Sequence, residues 1–202
     1  MRDLGMTTVE SFDLMAEDAW LASVARGSLV VAAAGLVLDV ALAVAGRVEA
    51  PGIPWLAAVV LVSAVALPVH ELVHGAAFKL LGGRDLRLRF GYMPPGMLYT
   101  CADGAVLPRR SFVAVLLAPA ALLSAAFLAG GALLDVPLAG VTCLWLHLSG
   151  CTGDLVMARR IVAAGAPYVR DTVQGYDLVA PSPASPAGPP APGPAPAGEG
   201  ER

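Results

Sequence analysis

His70, Glu71 and His74, in the stretch PVHELVHGAAFKLLGG, are the residues best fitted to chemistry. On a helix, side chains four apart share one face a turn apart, so both imidazoles can reach one metal ion. Glu71 then stands beside the open coordination position, placed to take a proton from an attacking water. Zinc favours nitrogen ligands and keeps one position for water in a catalytic centre. The chain holds three His, so this pattern arises by chance in only about one sequence in a thousand of such composition. The structural alternative is a pair of packed interfacial histidines with Glu71 paired to an arginine.

Two histidines leave the set short, because catalytic zinc takes three protein ligands. His147 and Asp154 are the candidates for the third, seven apart and nearly on one helical face. His74 precedes Lys79 by five residues, and Asp154 precedes Arg159 by five. If both basic residues mark the same boundary, His74 and Asp154 are level, and His147 lies about 10 Å deeper. Asp154 is therefore the expected ligand, and His147 reads as a core histidine bonded to a carbonyl or hydroxyl. Gly150 and Gly153 are expected to let the helix carrying Asp154 approach its neighbour, with Gly75 serving the same contact from the other side. Asp39 is read as a structural acid paired within the bundle. Pro119, in LLAPAALL, is expected to kink its helix.

The elements that must position these residues are long and apolar. The chain is 57% hydrophobic and 14% charged, against about half and about a quarter for soluble domains. Four stretches, Ser28 to Gly46, Pro54 to Phe78, Ser111 to Leu134 and Pro137 to Ala158, each have the length to cross about 30 Å of hydrocarbon as a helix. The expected fold class is an all-α membrane protein of about four transmembrane helices. Basic residues set its orientation: with both termini in the cytosol, all but Arg47 fall on or at the cytosolic side. Between the second and third helices, Leu86, Leu88, Phe90 and Tyr92 alternate with Arg87, Arg89 and Gly91, which is strand periodicity. With Pro94-Pro95-Gly96 as a turn and Met97 to Cys101 as the return, this loop is expected to form a small cytosolic β-hairpin.

The flanks are different. Residues 1–27 read as an acidic cytosolic segment and not a signal peptide, because Glu10, Asp13, Glu17 and Asp18 stand where a basic region would be. Residues 28–178 form the four-helix membrane domain, and 179–202 a disordered Pro/Ala-rich tail. Cys101, Cys143 and Cys151 lack paired spacing and read as small apolar filler. A net charge of −3 argues against a nucleic-acid partner.

HELVHGAAFKLLGG, the basic strand-like loop, LLAPAALL and SGCTGDL before a basic pair together resemble the zincin peptidase family of small bacterial membrane proteins. That family is more distantly similar to the site-2 proteases. The resemblance spans Pro54 to Asp177 and implies zinc (Zn2+) at His70 and His74, Glu71 as catalytic base, and Asp154 as the remaining metal ligand. SGCTGDL keeps only the Asp of the second site-2-protease motif, so no oxyanion-stabilising group carries over. The resemblance also implies a multi-pass protein of the bacterial cytoplasmic membrane, cutting a membrane protein or peptide substrate in or beside the lipid bilayer. Leu86, Leu88 and Phe90 are the expected substrate-binding residues, through edge pairing with an extended segment. The alternatives are a catalytically silent zinc-binding membrane adaptor, or a zinc hydrolase acting on a non-peptide substrate.

Overall fold

A computed structural model describes residues 5–14, 16–45, 52–93 and 97–182. The loop at 46–51 with Arg47, the Pro94-Pro95-Gly96 turn and the tail from 183 onward lie outside the described residues. Among the described residues, five helices carry most of the fold: α1 (Asp18–Val44), α2 (Ile53–Gly82), α3 (Arg109–Leu133), α4 (Pro137–Gly150) and α5 (Thr152–Ala164). Six strands accompany them: β1 (Met6–Asp13), β2 (Arg89–Met93), β3 (Met97–Cys101), β4 (Val106–Pro108), β5 (Tyr168–Thr172) and β6 (Gly175–Pro181).

The first three long helices are apolar enough to cross a membrane, with mean hydropathies of 2.2, 2.1 and 2.4 in their richest windows. Leu29, Leu36 and Val37 on α1 and Val60, Leu61 and Leu67 on α2 point away from the protein interior. α1 begins at Asp18, ten residues before the apolar stretch that marks it in the sequence. Its α4 contact is tight: a Cβ on Gly35 would collide with the Trp145 side chain. Asp39 is tied to the same helix, its Oδ2 accepting the Thr142 hydroxyl at 2.8 Å.

Two expectations need correction. The fourth apolar stretch is not one straight helix: it breaks at Cys151 into α4 and α5, which meet at a bend of 51° and count as a fourth span only when joined. Nor is the fold all-α with one hairpin. The expected hairpin exists, β2 pairing antiparallel with β3 and Phe90 opposite Thr100. A second sheet, wholly antiparallel in the order β1-β6-β5-β4, joins both ends of the described chain. The acidic N-terminal stretch thus includes a strand, Met6–Asp13.

That sheet is held on the bundle by a shared core. Phe12, Trp20, Phe78, Phe112, Ile161, Val169, Tyr176 and Leu178 are buried in one cluster, which joins β1, α1, α2, α3, α5, β5 and β6. Phe12 stacks against Tyr176 at 5.2 Å between ring centroids, and the Arg160 guanidinium lies 3.9 Å from the Phe12 centroid. Arg160 also pairs with Glu10 at 2.9 Å and Glu17 at 3.7 Å, so the acidic residues of the N-terminal stretch meet a basic residue of α5. Surface pairs of this kind contribute little singly; the stacked, buried ring beneath supplies most of the attachment.

Candidate metal centre

α2 presents His70, Glu71 and His74 to the interior, and the 51° break turns α5 so that Asp154 meets them. His74 Nε2 lies 3.0 Å from His70 Nε2. Asp154 reaches both, with Oδ2 at 3.3 Å from His70 Nε2 and Oδ1 at 3.6 Å from His74 Nε2. Ligand atoms about 2 Å from a tetrahedral zinc stand roughly 3.3 Å apart, and the three separations bracket that value.

The tautomer of His74 sharpens the fit. Its Nδ1–H donates to the Val115 carbonyl of α3 at 3.0 Å, so Nε2 of the neutral ring carries a lone pair. That lone pair faces a second imidazole nitrogen and a carboxylate, an arrangement of acceptors that a cation satisfies. The three donors are of the type zinc takes, and the carbonyl behind His74 is the outer partner that metal-bound histidines characteristically have.

Val115 offers that carbonyl because of Pro119. In a helix the carbonyl of residue 115 accepts from the N–H of residue 119, and proline has none. α3 runs through Pro119 from Arg109 to Leu133, with Pro119 fully buried. The sequence suggests a kink here; what the structure shows is an acceptor released toward His74. Pro119→Ala restores a competing donor. It is expected to weaken zinc affinity by about 10–100-fold while raising thermal stability, since helix interiors favour alanine by about 3 kcal/mol. Metal titration and thermal unfolding of the same sample check the opposed shifts; a fall in both would mark the proline as merely structural.

His147 does not lie out of reach in the core. The bend after Gly150 brings α4 and α5 to His70 together, and His147 Nε2 lies 3.1 Å from His70 Nδ1, on the ring edge opposite Asp154. Its partner is thus an imidazole, with the Phe127 ring edge-on at 5.6 Å. The glycine contacts also differ from expectation. Gly75 faces Leu88 and Phe90 of the hairpin segment, Gly153 faces Trp20, and Gly150 has open space where a Cβ would stand.

The three ligand candidates and Glu71 line a cavity of about 470 Å³, whose other walls include Phe78, Phe112, Met157 and residues 98–101 of β3. Thr100 fixes β3 to the site, its hydroxyl donating to the Glu71 carbonyl at 2.9 Å. Of the residues expected to bind substrate, Phe90 lies in β2 and, with Glu71, lines a smaller cavity of about 220 Å³. Leu86 and Leu88 precede the strand and pack on the core cluster. Asp171 of β5 also reaches the main cavity. It accepts the Ala102 N–H at 2.6 Å, and burial pushes its carboxyl up to about 6.

Residues 63–167 match the model of the family described as "Putative zincin peptidase". The chain belongs to this family. The matched region holds α2 from its middle, the hairpin, α3, α4 and α5, and hence all of His70, Glu71, His74 and Asp154. No curated protein and no solved structure matches the chain. Zinc is the metal this family implies, and the donor set of this member fits it. Sequence reasoning weighs His147 against Asp154 as third ligand and sets it in the core, and it does not reach Thr100 or the Val115 carbonyl. Only Pro119, four residues after Val115, carried a readable signal for one of them.

Proposed function

We propose that this protein is a membrane-embedded zinc metallopeptidase that hydrolyses a peptide bond in or next to the bilayer. The observation that carries the reading is the convergence of His70 Nε2, His74 Nε2 and the Asp154 carboxylate within 3.0–3.6 Å of one another in a cavity that Glu71 also lines. The lipid bilayer covers the outward apolar faces of α1, α2 and α3, and α4 with α5 forms the fourth, broken span. Both termini and the hairpin lie on the cytosolic side, following the basic residues.

His70, His74 and Asp154 hold the metal. Zinc, when bound, supplies Lewis acidity: it acidifies water and polarises the scissile carbonyl. The Val115 carbonyl keeps His74 in the tautomer that points Nε2 inward. Glu71 accepts the proton of the attacking water and delivers it to the leaving amine. Thr100, bonded to the Glu71 backbone, fixes β3 beside that carboxylate. The mostly apolar walls limit water, which strengthens each of these electrostatic interactions.

A substrate must be extended to expose its carbonyl, and β3 borders the cavity along Leu98, Tyr99, Thr100 and Cys101. The substrate therefore pairs along this hairpin, with main-chain bonds giving affinity; Phe90 contributes from the adjoining smaller cavity. Successive N–H groups of a strand alternate between its two sides, so Leu98→Pro and Tyr99→Pro remove donors from opposite edges. One is expected to disturb the β2–β3 ladder. The other is expected to leave the hairpin intact and abolish cleavage of a membrane-anchored peptide in proteoliposomes with zinc still bound. Undiminished cleavage in both variants rejects strand pairing.

A further inference from the structure

His70 has a second ring nitrogen, and a second donor set faces it. Cys151 is wholly buried at the α4–α5 break, and its backbone N–H donates to the His147 carbonyl at 3.0 Å, which sets the two side chains one turn apart. Cys151 Sγ lies 3.5 Å from His147 Nε2 and 3.8 Å from His70 Nδ1, while those two nitrogens are 3.1 Å apart. A tetrahedral cation with bonds of about 2.0 Å to nitrogen and about 2.3 Å to sulfur separates such atoms by roughly 3.3 and 3.5 Å. The three atoms therefore already stand near the separations of a bound metal, as His70, His74 and Asp154 do.

We propose that His70 Nδ1, His147 Nε2 and Cys151 Sγ form a second coordination position for a divalent zinc-like cation, on the opposite edge of the His70 ring from Asp154. The proposal rests on the function proposed above only in taking His70, His74 and Asp154 as the first position. A neutral imidazole has one lone pair, so the cation occupies one position or the other. At the first, His70 Nδ1 keeps its proton and faces His147. At the second, Nε2 keeps it, the Cys151 thiol releases its proton to solvent, and the sulfur ligates as thiolate. A cation held there leaves His74 and Asp154 unligated, which makes it a resting position. The thiolate favours softer cations, whereas the carboxylate of the first position favours harder ones. Without the structure this pairing is invisible, because the break at Cys151 is what puts His147 and Asp154 on two edges of one ring.

Cobalt(II) distinguishes the two positions, because a thiolate ligand adds an intense near-ultraviolet charge-transfer band that nitrogen and oxygen ligands lack. The full chain in detergent, loaded with cobalt, is expected to show this band as well as visible d–d absorption. Cys151→Ser should lose the band and keep about one cobalt per chain, held at the first position. Asp154→Ala removes a ligand from the first position only, and is expected to raise the band per bound cobalt by at least about twofold. Visible d–d absorption without the band, in wild type and Asp154→Ala alike, overturns the second position and leaves the first standing. A band that survives Cys151→Ser also overturns it, since the sulfur must then be another. No cobalt bound to folded wild type overturns both positions.

Discussion

Glu71→Gln is expected to lower peptide-bond cleavage by on the order of 10³-fold while leaving the zinc content unchanged. The amide is nearly the same size as the carboxylate but cannot accept the water's proton, and general-base catalysis contributes about 10²–10⁴-fold. Glu71 is on α2 between two metal-binding candidates, yet it is absent from both clusters of potential ligands, so its loss should spare the metal. Cleavage of a membrane-anchored peptide in proteoliposomes, with metal content measured on the same preparations, checks both halves. Full cleavage by the Gln variant would remove Glu71 as the base; no cleavage by zinc-loaded wild type would leave a zinc-holding membrane adaptor in place of the enzyme.

Asp154→Ala should be the most damaging change to metal binding at the proposed catalytic position. Its carboxylate reaches both histidines, and its side chain is only 19% exposed. Removal leaves two imidazoles where catalytic zinc takes three protein ligands. The loss of affinity should exceed about 100-fold, the upper range for changes to residues that merely support a ligand. Cleavage should fall below detection under zinc-limited conditions. Competition with a chelator of known affinity measures the effect; a change within tenfold would remove Asp154 from the ligand set. Together with Glu71→Gln, this variant separates loss of metal from loss of the base. The expected pattern is metal at the catalytic position without cleavage in one, and neither that metal nor cleavage in the other.

Much of this site is local in sequence. His70, Glu71 and His74 fall within two turns of one helix, so helical periodicity alone brings the two imidazoles together, here with ring centroids 4.7 Å apart. The long apolar helices were legible for a similar reason, since each is a continuous run with few charges. The hairpin was legible from two-residue alternation, although its first strand starts at Arg89 and leaves Leu86 and Leu88 to the core. Matching the distances of His74 and Asp154 from basic residues also placed them level, because both helices carry their charge at the same end.

What the sequence alone determined is therefore the set of local periodicities: the apolar helices, the hairpin, and the shared face of His70 and His74. Tertiary structure decided the rest. A straight helix cannot bring both His147 and Asp154 to His70, and the 51° bend that does belongs to the folded chain. The four-stranded sheet joins β1 to β6 across almost the whole chain, and a pairing between distant segments leaves no periodic mark on either one. The outer partner of His74 is a backbone carbonyl forty-one residues away, and what frees it is the N–H that Pro119 lacks. Periodicity reveals which face of an element is apolar; which atoms meet there depends on breaks, crossings and unpaired backbone groups that only the folded chain fixes.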